Sequence, residues 1–407
     1  MTIRVGMVAG EPSGDLIAAR VIQGLNAGHP GVQVQGIGGP AMQQAGMQLW
    51  HEMHALTVFG YVDAFKRLPS LLQTYHSVRR RWLDQPPSVF VGIDAPDFNL
   101  RLEHRLRQAG IPTVHFVGPS IWAWRYERIH RIREAVSHML VLFPFEEAIY
   151  QKEGIPVTYV GHPLARAIPR TPDRLLARQR LGLPVDARVL ALMPGSRSSE
   201  ISQLAPRFLQ AVQLLRLQDP ALHIVVPMVN ARRRQEFQHI LANHPTPNLR
   251  IIGADDPNDS SQAGGVDADG RDTWPAAWHA MEAADAVLVA SGTATLEAAL
   301  FKRPMVISYV LTPLMKSIMA WKSGQKKPYV PWVGLPNVLA QEFVVPELLQ
   351  DDATPDALAR EAWRALSDTT YAAHVEERFT RMHDELALDT AALAADVILR
   401  VGAGGAG

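Results

Sequence analysis

Ile3-Arg4-Val5-Gly6-Met7-Val8-Ala9-Gly10-Glu11-Pro12-Ser13-Gly14-Asp15 is the stretch from which the fold is read. A near-continuous apolar run of this length suits a strand buried on both faces. The glycines that follow let the backbone turn tightly, and Ser13 is placed to cap a helix. The spacing is not that of the dinucleotide fingerprint, so by shape alone this is a ligand loop or an ordinary strand-to-helix turn.

Working outward, the same unit recurs. Strands are expected at Ile3–Ala9, Val32–Ile37, Val89–Ile93, Thr113–Val117, His138–Leu142 and Thr158–Val160, separated by longer amphipathic stretches. That alternation predicts a parallel sheet with crossover helices. Between Pro163 and Asp173 the chain turns proline-rich and loses its period, which reads as a linker. A second series follows at Val189–Met193, His223–Pro227, Leu249–Ile252, Ala286–Ala290 and Met305–Tyr309. The class is α/β: two Rossmann-like domains, 1–168 and 169–350, facing across a cleft, with a helical segment over 351–407. Ligands are expected beyond the carboxyl ends of the strands. The helical segment either mediates a homodimer or folds back onto the first domain.

Composition narrows the function. With 407 residues, 47% hydrophobic and 20% charged, the chain can build two ordinary cores. Forty basic residues cancel forty acidic ones, which argues against a general nucleic-acid binder. The absence of cysteine excludes disulfides, thiolate catalysis and Cys-ligated zinc. The run Val5–Ala9 is too short for a signal peptide, and no uncharged apolar run reaches the roughly 18 residues of a spanning helix. A cytoplasmic protein with at most peripheral membrane contact is expected. Residues 255–272 are polar and glycine-rich, as in a surface insertion, and the tail from Gly402 is glycine-rich too.

Further strand-to-helix junctions carry the candidate chemistry. Gly195-Ser196-Arg197-Ser198-Ser199-Glu200 offers backbone N–H groups at a helix start and a forked cation, a combination suited to diphosphate. The plainer reading is a solvated Arg197 paired with Glu200. In Ser291-Gly292-Thr293-Ala294-Thr295-Leu296-Glu297, Glu297 can accept both ribose hydroxyls, or simply complement the helix dipole. Ala294 stands where a reciprocal capping box would need Ser or Thr. Together the two loops read as a nucleotide pocket.

The first domain presents carboxylates instead. Val91-Gly92-Ile93-Asp94-Ala95-Pro96-Asp97-Phe98-Asn99 sets two aspartates at an apolar strand end, where loss of water makes a carboxylate a better base. Either can alternatively cap the next helix, Asp97 more readily than Asp94. Ser120, Trp122, Trp124 and Arg125 follow another strand and line a sugar or acyl site, or pack. His51-Glu52-Met53-His54 is one residue short of zincin spacing, and Asp267-Ala268-Asp269 lies in the insertion, so no metal site and no cofactor is expected. Leu56–Leu72 and Met315–Trp332 place apolar bulk beside Lys and Arg, which suits an anionic membrane surface or a lipid phosphate, the plainer reading being ordinary core and solvated lysines.

Taken in order, the phrases Ala9–Asp15, Val91–Asn99, Pro119–Arg125, Pro194–Arg197, Ala290–Glu297 and Leu335-Pro336-Asn337-Val338-Leu339-Ala340 resemble the lipid-A-disaccharide synthase family. The resemblance spans about Gly10 to Ala340. It implies a GT-B fold and an inverting transfer from UDP-2,3-diacylglucosamine to 2,3-diacylglucosamine 1-phosphate (lipid X), giving a β(1→6) disaccharide 1-phosphate and UDP. It implies an enzyme at the inner face of the inner membrane. It assigns Asp94 as base and Arg197 as the diphosphate electrophile. Gly195, Ser196, Ser291, Gly292, Thr293, Thr295, Glu297 and Asn337 fall on the UDP-sugar side. Gly10, Glu11, Ser13, Gly14, Asp97, Ser120 and Trp122 fall on the acceptor side. The stretch 255–272 departs from the family pattern. Rival expectations are a UDP-N-acetylglucosamine 2-epimerase, which releases no disaccharide, a transferase for a different lipid-linked acceptor, and a UDP-sugar sensor, which turns nothing over.

Overall fold

The computed structural model describes residues 3–56, 61–253, 274–311 and 329–404, with the backbone alone for 61–68. Strands β1 (Arg4–Ala9), β2 (Gln33–Gly38), β3 (Gln48–Glu52), β4 (Val89–Ile93), β5 (Thr113–Phe116), β6 (His138–Val141) and β7 (Val157–Tyr159) form one sheet in the order 3-2-1-4-5-6-7. Every pairing in it is parallel; Val8 of β1 lies opposite Ile37 on one side and Gly92 on the other. A second parallel sheet runs 10-9-8-11-12-13, from β8 (Val189–Met193), β9 (His223–Pro227), β10 (Leu249–Ile252), β11 (Ala286–Ala290), β12 (Met305–Tyr309) and β13 (Glu347–Leu349). Here Leu192 sits opposite Leu288, and Leu190 opposite Ile224.

The five expected strands of the second series fall on β8 to β12 residue for residue. Two strands were not expected, β3 and β13, and both lie at a sheet edge. Gln48-Leu49-Trp50-His51-Glu52 mixes polar and apolar residues because an edge strand need not be buried on both sides. Three-residue β13 is too short to show a period.

Crossover helices cover the sheets. The first sheet uses α1 (Pro12–Gly28), α2 (Pro40–Gln44), α3 (Tyr61–Asp84), α4 (Pro96–Gln108), α5 (Ile129–Ala135) and α6 (Pro144–Lys152). On one face Val5, Met7 and Val91 pack against Ile22 and Leu25 of α1; on the other Val8 and Phe90 pack against Tyr75, Trp82 and Leu102. After α7 (Pro163–Ala167) and α8 (Arg174–Arg180), the second sheet carries α9 (Ser198–Gln218), α10 (Ala231–Leu241), α11 (Ala276–Ala283) and α12 (Thr293–Leu300). Its core joins Leu190, Leu192 and Leu288 to Phe208, Val212 and Phe237.

The chain past residue 351 is helical, as Pro355–Ser367, Thr369–Leu386 and Thr390–Gly404. These helices are shared between two compact units. One unit holds the chain through Pro163 and again from Leu386; the other runs from Leu164 to Glu385, apart from a few residues around Tyr329. Helix Pro355–Ser367 packs on α9, whereas Thr390–Gly404 packs on α1, with Ala394, Val397 and Ile398 buried in the first unit's core. The residues from Leu386 onward thus fold back onto the first unit.

Candidate functional site

In a doubly wound sheet the strand order reverses beside the first strand, and the loops there part to leave a crevice. In the first unit this point lies between β1 and β4. The two loops it separates are Gly10–Asp15 and Asp94–Asp97. They touch: a Cβ on Gly10 would stand 2.9 Å from the Ala95 Cβ, so a larger residue would push the Asp94 turn aside.

That turn is strained. Asp94 and Ala95 both hold left-handed backbone, with φ of 51° and 44°. Aspartate tolerates this region but alanine does not gain from it, and such residues cost about 1–3 kcal/mol each. Asn99, fully buried on the first turns of α4, holds the turn in place. Its Nδ2 donates to the carbonyls of Asp94 (2.7 Å), Ile93 (3.3 Å) and Val8 (3.5 Å), tying the ends of β1 and β4 together. Asp94 is half-buried, and Asp97 is exposed and paired with Arg128 at 3.3 Å. Neither aspartate caps α4, whose N-cap is Ala95.

The Gly10–Asp15 loop corrects one expectation. The cap position of α1 is Glu11, and Pro12 opens the helix, so Ser13 sits inside the first turn with an exposed hydroxyl and does not cap. Glu11 is exposed and Gly14 buried. Asp15, which closes the motif, is buried and accepts from the N–H groups of Gly39 (2.9 Å), Ala41 (3.0 Å) and Met42 (3.0 Å). It anchors α2.

Along the same sheet edge, Trp122 begins a row of rings. It meets Phe145 edge-on at 5.5 Å, Phe145 stacks on Phe143 at 6.0 Å, and Phe143 stacks on His162 at 5.7 Å. Ser120 is exposed, and its carbonyl accepts from the Ala123 and Trp124 N–H groups. Burial lowers the His162 imidazole to about 4, leaving it neutral. Burial raises the Glu146 carboxyl, which accepts the Phe143 N–H, to about 8. Phe143, Phe145, Glu146 and His162 escaped the sequence reading. The junction Phe143-Pro144-Phe145-Glu146 after an expected strand was the available signal.

In the second unit the order reverses between β8 and β11. Gly195 has φ 117°, and a Cβ there would lie 2.4 Å from the Glu200 Oε2, so only glycine lets Glu200 fold back over the loop. Glu200 accepts the N–H groups of Ser196 (3.0 Å) and Arg197 (3.2 Å), and its Oε1 lies 3.5 Å from the Arg197 guanidinium. The plainer reading of this pair is therefore present. It uses only part of the donor set: Arg197 is 77% exposed, and the Ser198 and Ser199 N–H groups of the first turn of α9 find no acceptor among the described residues. Anions favour such a terminus.

Beside it, Ser291 donates its N–H to Ser308 (2.9 Å), Gly292 and Thr293 are exposed, and Thr295 is buried with its hydroxyl donating to the Gly292 carbonyl (2.8 Å). Burial pushes the Glu297 carboxyl above the usual range, with the Trp278 indole opposing. Tyr309, the last residue of β12, was missed. Burial and the nearby Glu200 raise its hydroxyl while Arg197 draws it down, so it shares the field of that loop. Asn337 is buried and saturated: Nδ2 donates to the Val345 carbonyl and Glu347, and Oδ1 accepts from Val344 and Val345. No polar atom of this side chain remains for a nucleotide. It orders the chain around it.

Among the described residues no group of three or more His, Asp or Glu is placed to hold a metal, and no helix is long and apolar enough to cross a membrane. Asp267 and Asp269, and most of the apolar-basic stretch Met315–Trp332, lie outside the described residues. Of Leu56–Leu72, residues 57–60 lie outside them too.

The family model described as Lipid-A-disaccharide synthetase matches residues 5–257 and 273–398. The interval it passes over falls within the polar stretch that departs from the family pattern. Curated relatives called lipid-A-disaccharide synthase include one from Bordetella petrii, 70% identical over 100% of both chains. Another, from Paraburkholderia phytofirmans, is 48% identical over 98% of this chain and 96% of that one. Among solved structures, a calicheamicin glycosyltransferase superposes with TM-score 0.58 at 15% identity over 100% of both chains. A Neisseria meningitidis UDP-GlcNAc 2-epimerase bound to UDP-GlcNAc does so with TM-score 0.56 at 10% identity over 98% and 99%. At such identity the likeness is one of fold, and that fold is GT-B.

Proposed function

The chain belongs to the lipid-A-disaccharide synthase family, and from that premise we propose that Asp94 is the base and Arg197 the leaving-group electrophile of its reaction. That reaction condenses UDP-2,3-diacylglucosamine with lipid X in lipid A biosynthesis, releasing UDP. The Asp94 carboxylate takes the proton of the acceptor 6-hydroxyl. The oxygen attacks the donor anomeric carbon from the face opposite UDP, and the carbon–oxygen bond to the diphosphate breaks with its electron pair leaving on UDP. The anomeric centre is inverted, and Asp94 ends protonated.

The observation that carries this reading is the strained, Asn99-held turn that keeps Asp94 at the strand-order reversal of the first sheet. Strained backbone of this kind clusters at active sites and persists where its surroundings hold it. In the second unit, the unengaged Ser198 and Ser199 N–H groups and the exposed Arg197 can meet diphosphate charge as it develops. Gly195, Ser196, Ser291, Gly292, Thr293 and Tyr309 surround the same loops, and Glu297 holds the ribose. Gly10, Glu11, Ser13, Ser120 and Trp122 serve the acceptor. Asn337, Thr295 and Gly14 shape these loops without touching substrate, and Asp97 stands on the acceptor side beside Asp94. Lipid substrates support a peripheral position for the enzyme at the inner face of the inner membrane.

The test is to incubate the purified protein with both lipid substrates in detergent, with a chelator present, and follow products by mass spectrometry. Equal amounts of UDP and disaccharide are expected. UDP-sugar epimerisation, or UDP-sugar binding with no disaccharide, defeats the proposal.

A further inference from the structure

Immediately beyond the Asp94 turn, α4 and α5 flank an open groove of about 470 Å³ in the first unit, with Arg101, Arg105 and Arg131 exposed along it. Its walls carry four arginines, Arg101 and Arg105 from α4, Arg128 just before α5 and Arg131 within it. Pro96 and Asp97, two and three residues past Asp94, line it as well. The arrangement follows from helical spacing: 97, 101 and 105 repeat every four residues, and 128, 131 and 134 every three, so each set lies along one helix face. At about 1.5 Å per residue, the lining runs roughly 13 Å up α4 from Pro96 to Arg105.

The charge in this groove is only partly compensated. Its only acidic lining residues are Asp97 and Glu134, leaving an excess of two positive charges. Of the four arginines, only Arg128 has a carboxylate partner, Asp97 at 3.3 Å. Arg105 donates to the neutral Gln108, Arg101 lies over the Tyr75 ring, and Arg131 makes no ion pair among the described residues. In a chain whose forty basic and forty acidic residues cancel, such a gathering is not a background excess. Like charges in a concave site repel unless an anion joins them. Guanidinium groups present forked donors that match phosphate oxygens two at a time, which a lysine cluster would not do.

We propose that this pocket binds a lipid-borne phosphate. The inference rests on the acceptor reading of the first unit. Lipid X carries its 6-hydroxyl and 1-phosphate at opposite ends of the sugar, so an acceptor with its hydroxyl at Asp94 can extend its phosphate along α4 into the arginines. An anionic phospholipid headgroup presents the same chemistry, and the experiment separates the two sources.

The variant is Arg101→Ala/Arg131→Ala, with folding checked by circular dichroism and thermal melting. Lipid X and its analogue without the 1-phosphate are compared as acceptors, and pelleting with phosphatidylglycerol vesicles is measured alongside. Losing charged hydrogen bonds should raise KM for lipid X by about tenfold or more, leaving kcat and KM for the UDP-sugar nearly unchanged. The unaltered protein should prefer the phosphorylated acceptor and the variant should not. That loss of preference with normal pelleting assigns the pocket to the acceptor's phosphate. Lost pelleting with the preference intact assigns it to a bilayer headgroup. Disaccharide formation with preference and pelleting both unchanged overturns the proposal, whereas no disaccharide from the unaltered protein defeats the reaction assignment instead.

Discussion

At the scale of single residues, Asp94 and Arg197 invite the most direct tests. Asp94→Asn keeps a side chain that tolerates left-handed backbone and removes only the proposed base, so kcat should fall about 10²–10⁴-fold with the circular dichroism spectrum unchanged. Arg197→Ala should lower kcat by a similar order, since a charge-stabilising donor is lost. Full turnover in either variant removes that residue from the mechanism. Glu146 supplies a pH test. Its carboxyl is raised by burial from an ordinary 4.5 to about 8, so between those values the folded chain holds a proton that the unfolded chain has released. Its contribution is therefore complete below about 4.5 and is lost as pH rises through 8. Glu146→Gln keeps the acceptor for the Phe143 N–H, and urea midpoints at pH 5.5 and 8 should differ less in the variant. Residue type and place in the sequence were enough to nominate Asp94 and Arg197 as candidates. The roles of Ser13, Asp15 and Asn337 were not legible, because a motif does not show which backbone groups a side chain has already satisfied.

At the scale of elements, the sequence was legible wherever a strand is buried on both faces, since such strands must be continuously apolar. Edge strands β3 and β13 escaped for want of that requirement. The short helix α2 shows how one side chain can hold an element that propensity would not. Five residues are below the length at which a helix is stable alone, and Asp15 supplies acceptors for three of its N-terminal N–H groups. Asp15→Ala should cost on the order of 2–3 kcal/mol, read as a lower urea midpoint, and hydrogen exchange at Gly39–Met42 should accelerate. Unchanged exchange there would mean that α2 is held by its packing.

At the scale of the whole chain, two α/β sheets were legible, because each repeats the same strand–helix alternation. The division of the C-terminal helices between the units was not, since amphipathic helices announce a buried face and not the partner that buries it. Helix Thr390–Gly404 fills the first unit's core with Ala394, Val397 and Ile398, and a Cβ on Gly24 of α1 would lie 2.6 Å from the Ala391 carbonyl. Fully burying a Val or Ile side chain is worth about 1.5–3 kcal/mol, so removing this helix takes away a large share of a stability near 5–15 kcal/mol. A chain ending at Glu385 should expose the first unit to protease while leaving the second resistant, and Gly24→Val should do the same more mildly. Equal resistance of both units would refute that dependence.

A consequence for synthesis follows from the same helix. The unit whose strands leave the ribosome first waits for its closing helix until more than two hundred further residues have been made. At about 5–20 residues per second this is roughly 10 to 40 s with the apolar face of α1 uncovered in a nascent chain. Interrupted translation then leaves no finished first unit, and quality control can recognise the truncated product by that exposed face.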